Sequence, residues 1–266
     1  MKIQYCSDLH LEFPENKKFL KKYPLIPRGD ILVLAGDIVP FRIMDRHNDF
    51  FDFASDNFKT TYWIPGNHEY YHSDLAERQA SFSEKIRENV LLLNNVSIQI
   101  EDIRFIFSTL WSHISEAHQW LIQQRLSDFH VILYNNGILL PALYNQLHQE
   151  SLTFINKELT SAKDERKIVV THHAPTFLNY PEEYKGDPLN DAFATELHDL
   201  ISNAKIDYWI YGHHHRNIPF FKIGNTNVLT NQLGYVRYNE HVGFDKNKHL
   251  ETFIDDNQYN KATFAQ

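Results

Sequence analysis

Short apolar runs recur along the chain, and each gives way to a polar cluster. Residues 2–7, 30–35 (DILVLA), 60–64 (TTYWI), 104–110 (RFIFSTL), 167–171 (KIVVT) and 206–211 (IDYWIY) have the length and the aliphatic and aromatic content of buried strands. Residues 227–230 follow the turn-like pair Gly224-Asn225 and extend the series, and residues 96–100 alternate as a half-exposed strand does. Between these runs the apolar positions take helical spacing over residues 16–23, 47–58, 75–89, 143–159 and 191–201, with Asn190 placed to cap the last. Strands alternating with helices predict a layered α/β fold. No repeat, low-complexity tract or Gly/Ser linker divides the chain, so residues 1–266 are read as one domain. Residues 113–136 fit neither period and read as an excursion over the surface.

Composition narrows the class. Of 266 residues, 42% are apolar and 14% aromatic, enough for a sizeable core and too many for a disordered chain. No run approaches the roughly 20 apolar residues of a membrane span, and the start, MKIQYCSDLH, lacks the apolar stretch of a signal peptide. A single cysteine, Cys6, excludes an internal disulfide and fits the cytoplasm. The formal charge of −8 argues against a broad nucleic-acid footprint. It leaves room for a small phosphate-bearing substrate if something local supplies positive charge. The sequence assigns no oligomeric state.

The polar clusters carry the chemistry. Asp8-Leu9-His10 follows the first strand, Gly36-Asp37 the second and Gly66-Asn67-His68-Glu69 the third. His172-His173 follows KIVVT, and Gly212-His213-His214-His215 follows IDYWIY. In open α/β sheets ligands sit beyond the carboxyl ends of strands, so these five segments can converge. Asp8 and His10 are two apart, as are His213 and His215, and in extended backbone such residues share a face while His214 points away. Carboxylate, amide and imidazole without thiolate suit manganese, iron or zinc, and the set is too large for one four-coordinate ion. Two ions sharing a carboxylate would use every ligand.

In this order DLH, GD, GNHE, HH and GHHH resemble the motifs of the calcineurin-like metallophosphoesterase superfamily, over residues 8–215. Residues 230–235 (TNQLGY) are similar to an Asn-containing strand end in small bacterial members. The resemblance implies a four-layer α/β/β/α sandwich of two mixed β-sheets flanked by helices. It implies that Asp8, His10 and His215 hold one cation, that Asn67, His172 and His213 hold the other, and that Asp37 bridges them. His172 is preferred to His173 because the first histidine after the strand is the usual ligand. His68 is then no ligand but the group that meets the substrate or leaving group, with Glu69 placed to orient it. His173, His214, Glu69 and Asn231 remain candidates for contacts behind the ligands or with substrate.

The activity implied is hydrolysis of phosphate esters by a metal-bridging hydroxide, with two divalent ions, manganese favoured. With Asp8, Asp37 and that hydroxide counted, about +1 of local charge remains to attract an anion. The arginines that protein serine/threonine phosphatases carry before GNHE and after GD are missing: Pro65 precedes Gly66, and Ile38-Val39-Pro40-Phe41 follows Asp37. A diester or generic phosphoesterase is therefore favoured, with Arg42, Arg216 and Arg237 as possible substitutes for the lost charge. The alternatives are a phosphomonoesterase, a nucleotide pyrophosphatase of the same fold, or a non-catalytic partner-binding scaffold. Against the scaffold stands the completeness of the ligand set. Plain readings suit the rest: Cys6 as a small buried apolar residue, Tyr70-Tyr71 as core packing, and the lysines at 17, 18, 21 and 22 as a solvated helix face.

Overall fold

The computed structural model describes residues 1–161 and 166–252. Its strands are β1 (Lys2–Cys6), β2 (Ile31–Ala35), β3 (Thr60–Ile64), β4 (Phe82–Arg87), β5 (Val90–Asn94), β6 (Val96–Ile100) and β7 (Ile103–Ser108). A small hairpin, β8 (Leu133–Tyr134) and β9 (Gly137–Ile138), precedes β10 (Arg166–Thr171), β11 (Tyr208–Tyr211), β12 (Phe221–Ile223), β13 (Thr226–Thr230) and β14 (His249–Glu251). The helices are α1 (Pro14–Lys22), α2 (Asn48–Asn57), α3 (Gln119–Arg125), α4 (Asp128–Val131), α5 (Pro141–Ser161) and α6 (His198–Asn203).

Two six-stranded sheets form, in the orders β14-β1-β2-β3-β5-β4 and β12-β13-β11-β10-β7-β6. The inner strands β1, β2, β3 and β5 run parallel, as do β7, β10, β11 and β13, while the edge strands β14, β4, β12 and β6 pair antiparallel. The inner strands read as unbroken apolar runs because both of their faces are covered. On β2, Ile31, Val33 and Ala35 face the second sheet with Tyr62, Phe105, Phe107, Ile168 and Val170, while Leu32 and Leu34 pack outward with Trp63 and Phe51 of α2. On the far side Ile106, Val169 and Trp209 pack against Ile155 of α5 and Ile201 of α6. The layers are thus helix, sheet, sheet, helix.

The two sheets are tied at their carboxyl ends. Ser7 donates its N–H to the Asn231 carbonyl and accepts the N–H of Leu233, both at 3.1 Å. The loops after β1, β2, β3, β10 and β11 consequently open into one region.

Two expected helices are absent. Residues 75–89 form a short 3-10 turn, Leu75–Arg78, and then β4. Phe82 and Ile86 lie four apart, which fits a helix face and one face of a strand equally, and pairing with β5 decides for the strand. Residues 191–201 contain only the end of the 3-10 turn Pro188–Ala192 and the start of α6, because Ala194 bridges to Ala174 in extended form. Asn190 lies inside that turn, and the side chain that caps it belongs to Asp187, which accepts the Leu189 N–H. Residues 113–136 hold α3, α4 and β8. Among the described residues no helix is long and apolar enough to cross a membrane.

Phe107 lies in the intersheet layer with its ring tilted 36° against Tyr62, centroids 5.1 Å apart, and is fully buried. Phe107→Ala is expected to lower unfolding free energy by about 3–5 kcal/mol, read from the midpoint of a urea titration.

Candidate metal centre

Seven buried side chains from the five strand ends meet at the seam between the sheets. Two groups stand out: Asp8, His10, Asp37 and His215, and Asp37, His172 and His213, with the donor atoms of each group within 4.8 Å of one another. Asp37 belongs to both. Its Oδ2 lies 3.7 Å from His10 Nε2 and its Oδ1 lies 3.4 Å from His172 Nε2, so one oxygen faces each group.

Backbone geometry builds this convergence. Asp8, His10, Asp37, His213 and His215 all have positive φ, between 45° and 79°. Each such residue costs roughly 1–3 kcal/mol unless its surroundings hold it. Asp8 and His10 meet in one group, but His213 and His215 divide between the two groups, and all four stand on left-handed loops rather than the extended backbone expected of them. Gly66 permits a further close approach: a Cβ there would fall 2.2 Å from Asp37 Oδ1 and 2.5 Å from His172 Nε2.

Hydrogen bonds behind the ligands set where their lone pairs point. His10 Nδ1–H donates to Glu12 Oε1 at 3.0 Å, and His215 Nδ1–H donates to Glu240 Oε2 at 2.7 Å. Both Nε2 atoms are then acceptors, yet they face each other at 3.0 Å, with Asp8 Oδ1 3.3 Å from His215 Nε2. The second group repeats the arrangement. His172 Nδ1–H donates to the Ala35 carbonyl at 2.9 Å and His213 Nε2–H to the Ala192 carbonyl at 3.3 Å, which leaves His172 Nε2 and His213 Nδ1 opposed at 3.1 Å. Asn67 donates its amide to Asp128 Oδ1 at 2.9 Å, so its oxygen turns inward, 3.3 Å from His172 Nε2. Lone pairs aimed at one another repel; a cation between them removes the conflict, and outer acceptors of this kind are the usual support of metal-bound histidine. The residues present therefore fit two divalent cations, with oxygen and nitrogen donors only.

Without a cation, protons take that place. Burial opposes charge, yet Asp8 and Glu240 hold the His215 imidazolium up to about 10, and Asp37 holds that of His172 up to about 9. Burial pushes His10 down and His213 well down, so both are neutral.

The remaining sequence candidates separate cleanly. Glu69 does not touch His68. Its carboxylate accepts the backbone N–H groups of Asp37 (2.9 Å), Ile38 (2.7 Å) and Gly66 (2.6 Å) and the indole N–H of Trp63 (3.1 Å), and so clamps the GD and GNHE loops together. His68 lies at the edge of the cluster, stacked 4.0 Å from Tyr71, with Nδ1 3.3 Å from Glu12 and Nε2 3.2 Å from the Tyr235 hydroxyl. His173 faces away, between the Thr109 carbonyl and Tyr144. His214 is buried against Tyr211 and Gln232. Asn231 donates to the carbonyls of Tyr5 and Asp245 and braces the strand junction, outside both groups. Sequence reasoning missed Glu12, Asp128, Tyr235 and Glu240. Only Glu12 carried a signal, two residues beyond His10. His10, Glu12 and His68 also satisfy the spacing of a three-ligand cluster. A neutral His10 has one lone pair, however, and it is already directed at His215.

A four-layer fold with paired His/Asp clusters at its seam defines a metallophosphoesterase. Residues 1–217 match calcineurin-like phosphoesterases, and the chain belongs to that family. It is a metal-dependent hydrolase of phosphoester bonds. A protein of Acanthamoeba polyphaga mimivirus described as uncharacterized protein L509 is 34% identical over 264 residues, covering 88% of this chain and 91% of the viral one. The phosphopantetheinyl hydrolase of Mycobacterium tuberculosis shares the fold, with a TM-score of 0.67 at 14% identity over 95% of this chain and 96% of its own. A dimetal phosphatase from Danio rerio superposes with a TM-score of 0.40 at 16% identity over 87% of each chain.

A metal-bound histidine must be neutral, and His172 and His215 are protonated at pH 7 in the cation-free protein. Loading two cations at pH 7 is expected to release about two protons, and affinity is expected to fall as pH drops. Calorimetry in buffers of different ionisation enthalpy measures the number; no release would contradict the assignment of these two residues.

Proposed function

We propose that Asp8, His10 and His215 hold one divalent cation, that Asn67, His172 and His213 hold a second, that Asp37 bridges them, and that the enzyme hydrolyses phosphodiesters. Manganese suits the oxygen- and nitrogen-only donor set. When bound, the cations make hydroxide available from water near neutral pH and offset charge on the phosphoryl oxygens. The chain's own residues do the rest. His68, beside the cluster, is held toward its imidazolium form by Asp37 and Glu12 against the effect of burial. It gives the Nε2 proton to the departing ester oxygen as the phosphorus–oxygen bond breaks and keeps the proton on Nδ1. Tyr71 beneath its ring and Tyr235 at Nε2 limit its movement.

The observation that carries the diester reading is the pair of carboxylates behind the first group. Against the effect of burial, His10 and His68 hold Glu12 down to about 2, and His215 holds Glu240 below the ordinary carboxylate range. With Asp8 and Asp37 these ionised groups cancel the formal charge of two divalent cations, so less positive charge remains than the ligands alone suggest. A monoester dianion needs more. Two of the three candidate arginines are engaged elsewhere: Arg216 donates to Glu183 at 2.8 Å, and Arg237 lies over the Tyr238 ring at 4.6 Å. A diester carries one negative charge and a second alcohol arm. A cavity of about 480 Å³ is lined by Phe177, Tyr180, Lys185 and Asp191 among others. The chain beyond Asp191 leads to Phe193, which stacks on His213.

The manganese-loaded enzyme is expected to show kcat/KM at least roughly tenfold higher for bis-p-nitrophenyl phosphate than for p-nitrophenyl phosphate. The opposite ratio overturns the diester reading. A phosphopantetheinyl ester belongs in the same panel, because the mycobacterial hydrolase named for that group shares this fold. His68→Ala is expected to keep both cations, by elemental analysis, and to lower turnover roughly 100-fold.

A further inference from the structure

Glu12 stands two residues past His10, and its carboxylate is placed between two imidazoles. One oxygen, Oε1, lies 3.0 Å from His10 Nδ1 and 3.3 Å from His68 Nδ1. The other, Oε2, is buried without a partner. The two rings meet edge-on with centroids 4.5 Å apart. A carboxylate serving His10 alone would have no reason to share the same oxygen with a ring carried 58 residues later by another strand's loop, as the sequence positions of His10 and His68 show.

We propose that Glu12 is a positioning residue for His68: it holds Nδ1–H, both before and after the proton leaves Nε2, and so fixes the ring in the orientation that keeps Nε2 on the reacting side. The contacts around the ring leave this task to it. Tyr71 covers one face at 4.0 Å but allows the ring to turn in its own plane and to flip about the Cβ–Cγ bond. Tyr235 offers a hydroxyl, which donates or accepts and so selects neither tautomer. An ionised carboxylate only accepts, so it requires N–H at His68 Nδ1. In the favoured orientation Nδ1 points to Glu12 and Nε2 to the opposite side; flipping exchanges them. The same oxygen links this choice to His10, so the ligand loop and the acid are set by one group. The inference deepens the reading of His68 as the proton donor to the leaving oxygen and rests on it.

The test uses the manganese-loaded protein and a series of aryl methyl phosphates running from p-nitrophenyl to phenyl. Glu12→Gln keeps the shape but removes the charge and the acceptor-only character, because the amide can turn its NH2 toward either ring. It is expected to retain two cations and an unchanged melting temperature. Its kcat is expected to fall roughly 10–100-fold for the phenyl ester and only a few-fold for the p-nitrophenyl ester, with KM little changed, because a poor leaving group depends most on the donated proton. In a His68→Ala background the same substitution is expected to add no further loss, since Glu12 then has nothing to position. Equal losses across the series with loss of a cation would assign Glu12 to His10 alone and overturn the proposal. So would a full additional loss in the His68→Ala background. Wild-type rates for His68→Ala itself would sink the donor role of His68, and this inference with it. Glu12→Asp, which withdraws the carboxylate by one methylene, gives the same readings if the glutamine variant does not fold.

Discussion

Two pairs of imidazole nitrogens face each other at about hydrogen-bond distance, and while the rings are neutral no proton lies between them, because the far side of each ring already donates to a fixed acceptor. Glu12 and Glu240 hold the rings of the first pair; the carbonyls of Ala35 and Ala192 hold those of the second. This enforced opposition of lone pairs is unstable unless positive charge fills the gap. Cation binding, protonation in the absence of cation, and the placement of Asp37 between the pairs all follow from it.

The arrangement is kept in place by the seam of the sandwich. Left-handed backbone at Asp8, His10, Asp37, His213 and His215 would relax in a free loop. Here each loop is short, emerges from a strand locked in a parallel sheet, and is bonded across to a neighbour. Asp8 N–H donates to the Gly36 carbonyl at 2.9 Å and His10 N–H to the Asp37 carbonyl at 3.0 Å. Glu69 adds a clamp that no surface residue could supply, because its carboxylate is enclosed and collects N–H groups from two loops. Burial and the neighbouring Asp37 push its pKa up to about 8, against the N–H donors, which favour the charged form. The site is therefore rigid where ligands must not move. At its edge His68, Tyr71 and Tyr235 are half-buried, whereas the seven clustered side chains are buried.

Charge is distributed with the same economy. The acidic residues nearest the ligands do not face the substrate; they sit behind imidazoles and an amide, where they orient the donors and temper the field of the cations. Asp128 shows the pattern: it holds Asn67 and Tyr71 through one oxygen while the other is buried without a partner. An acidic chain and a phosphoester substrate are compatible on these terms, because cations held by such clusters would supply the attraction that a basic surface does not.

Much of this was legible in the residues themselves. Aliphatic runs buried on both faces announce their strands, and the polar clusters after five of them announce a shared site, because a strand covered on both faces meets a ligand only beyond its end. The edge strands were harder to read: residues 82–87 suit a helix face or a strand face, and only pairing with β5 separates the two. The same limit applies at the site. Side-chain type and spacing singled out groups that the fold brings together, since donor chemistry belongs to each residue alone. Glu240, Asp128, Tyr235 and the shared contact of Glu12 depended on distant segments being brought within about 3 Å, and Glu69 was turned from His68 to backbone N–H groups by the loops that enclose it. Local sequence carries donor chemistry and strand period; which atom of each ring points inward is decided by hydrogen-bond partners that only the packed sheets assemble.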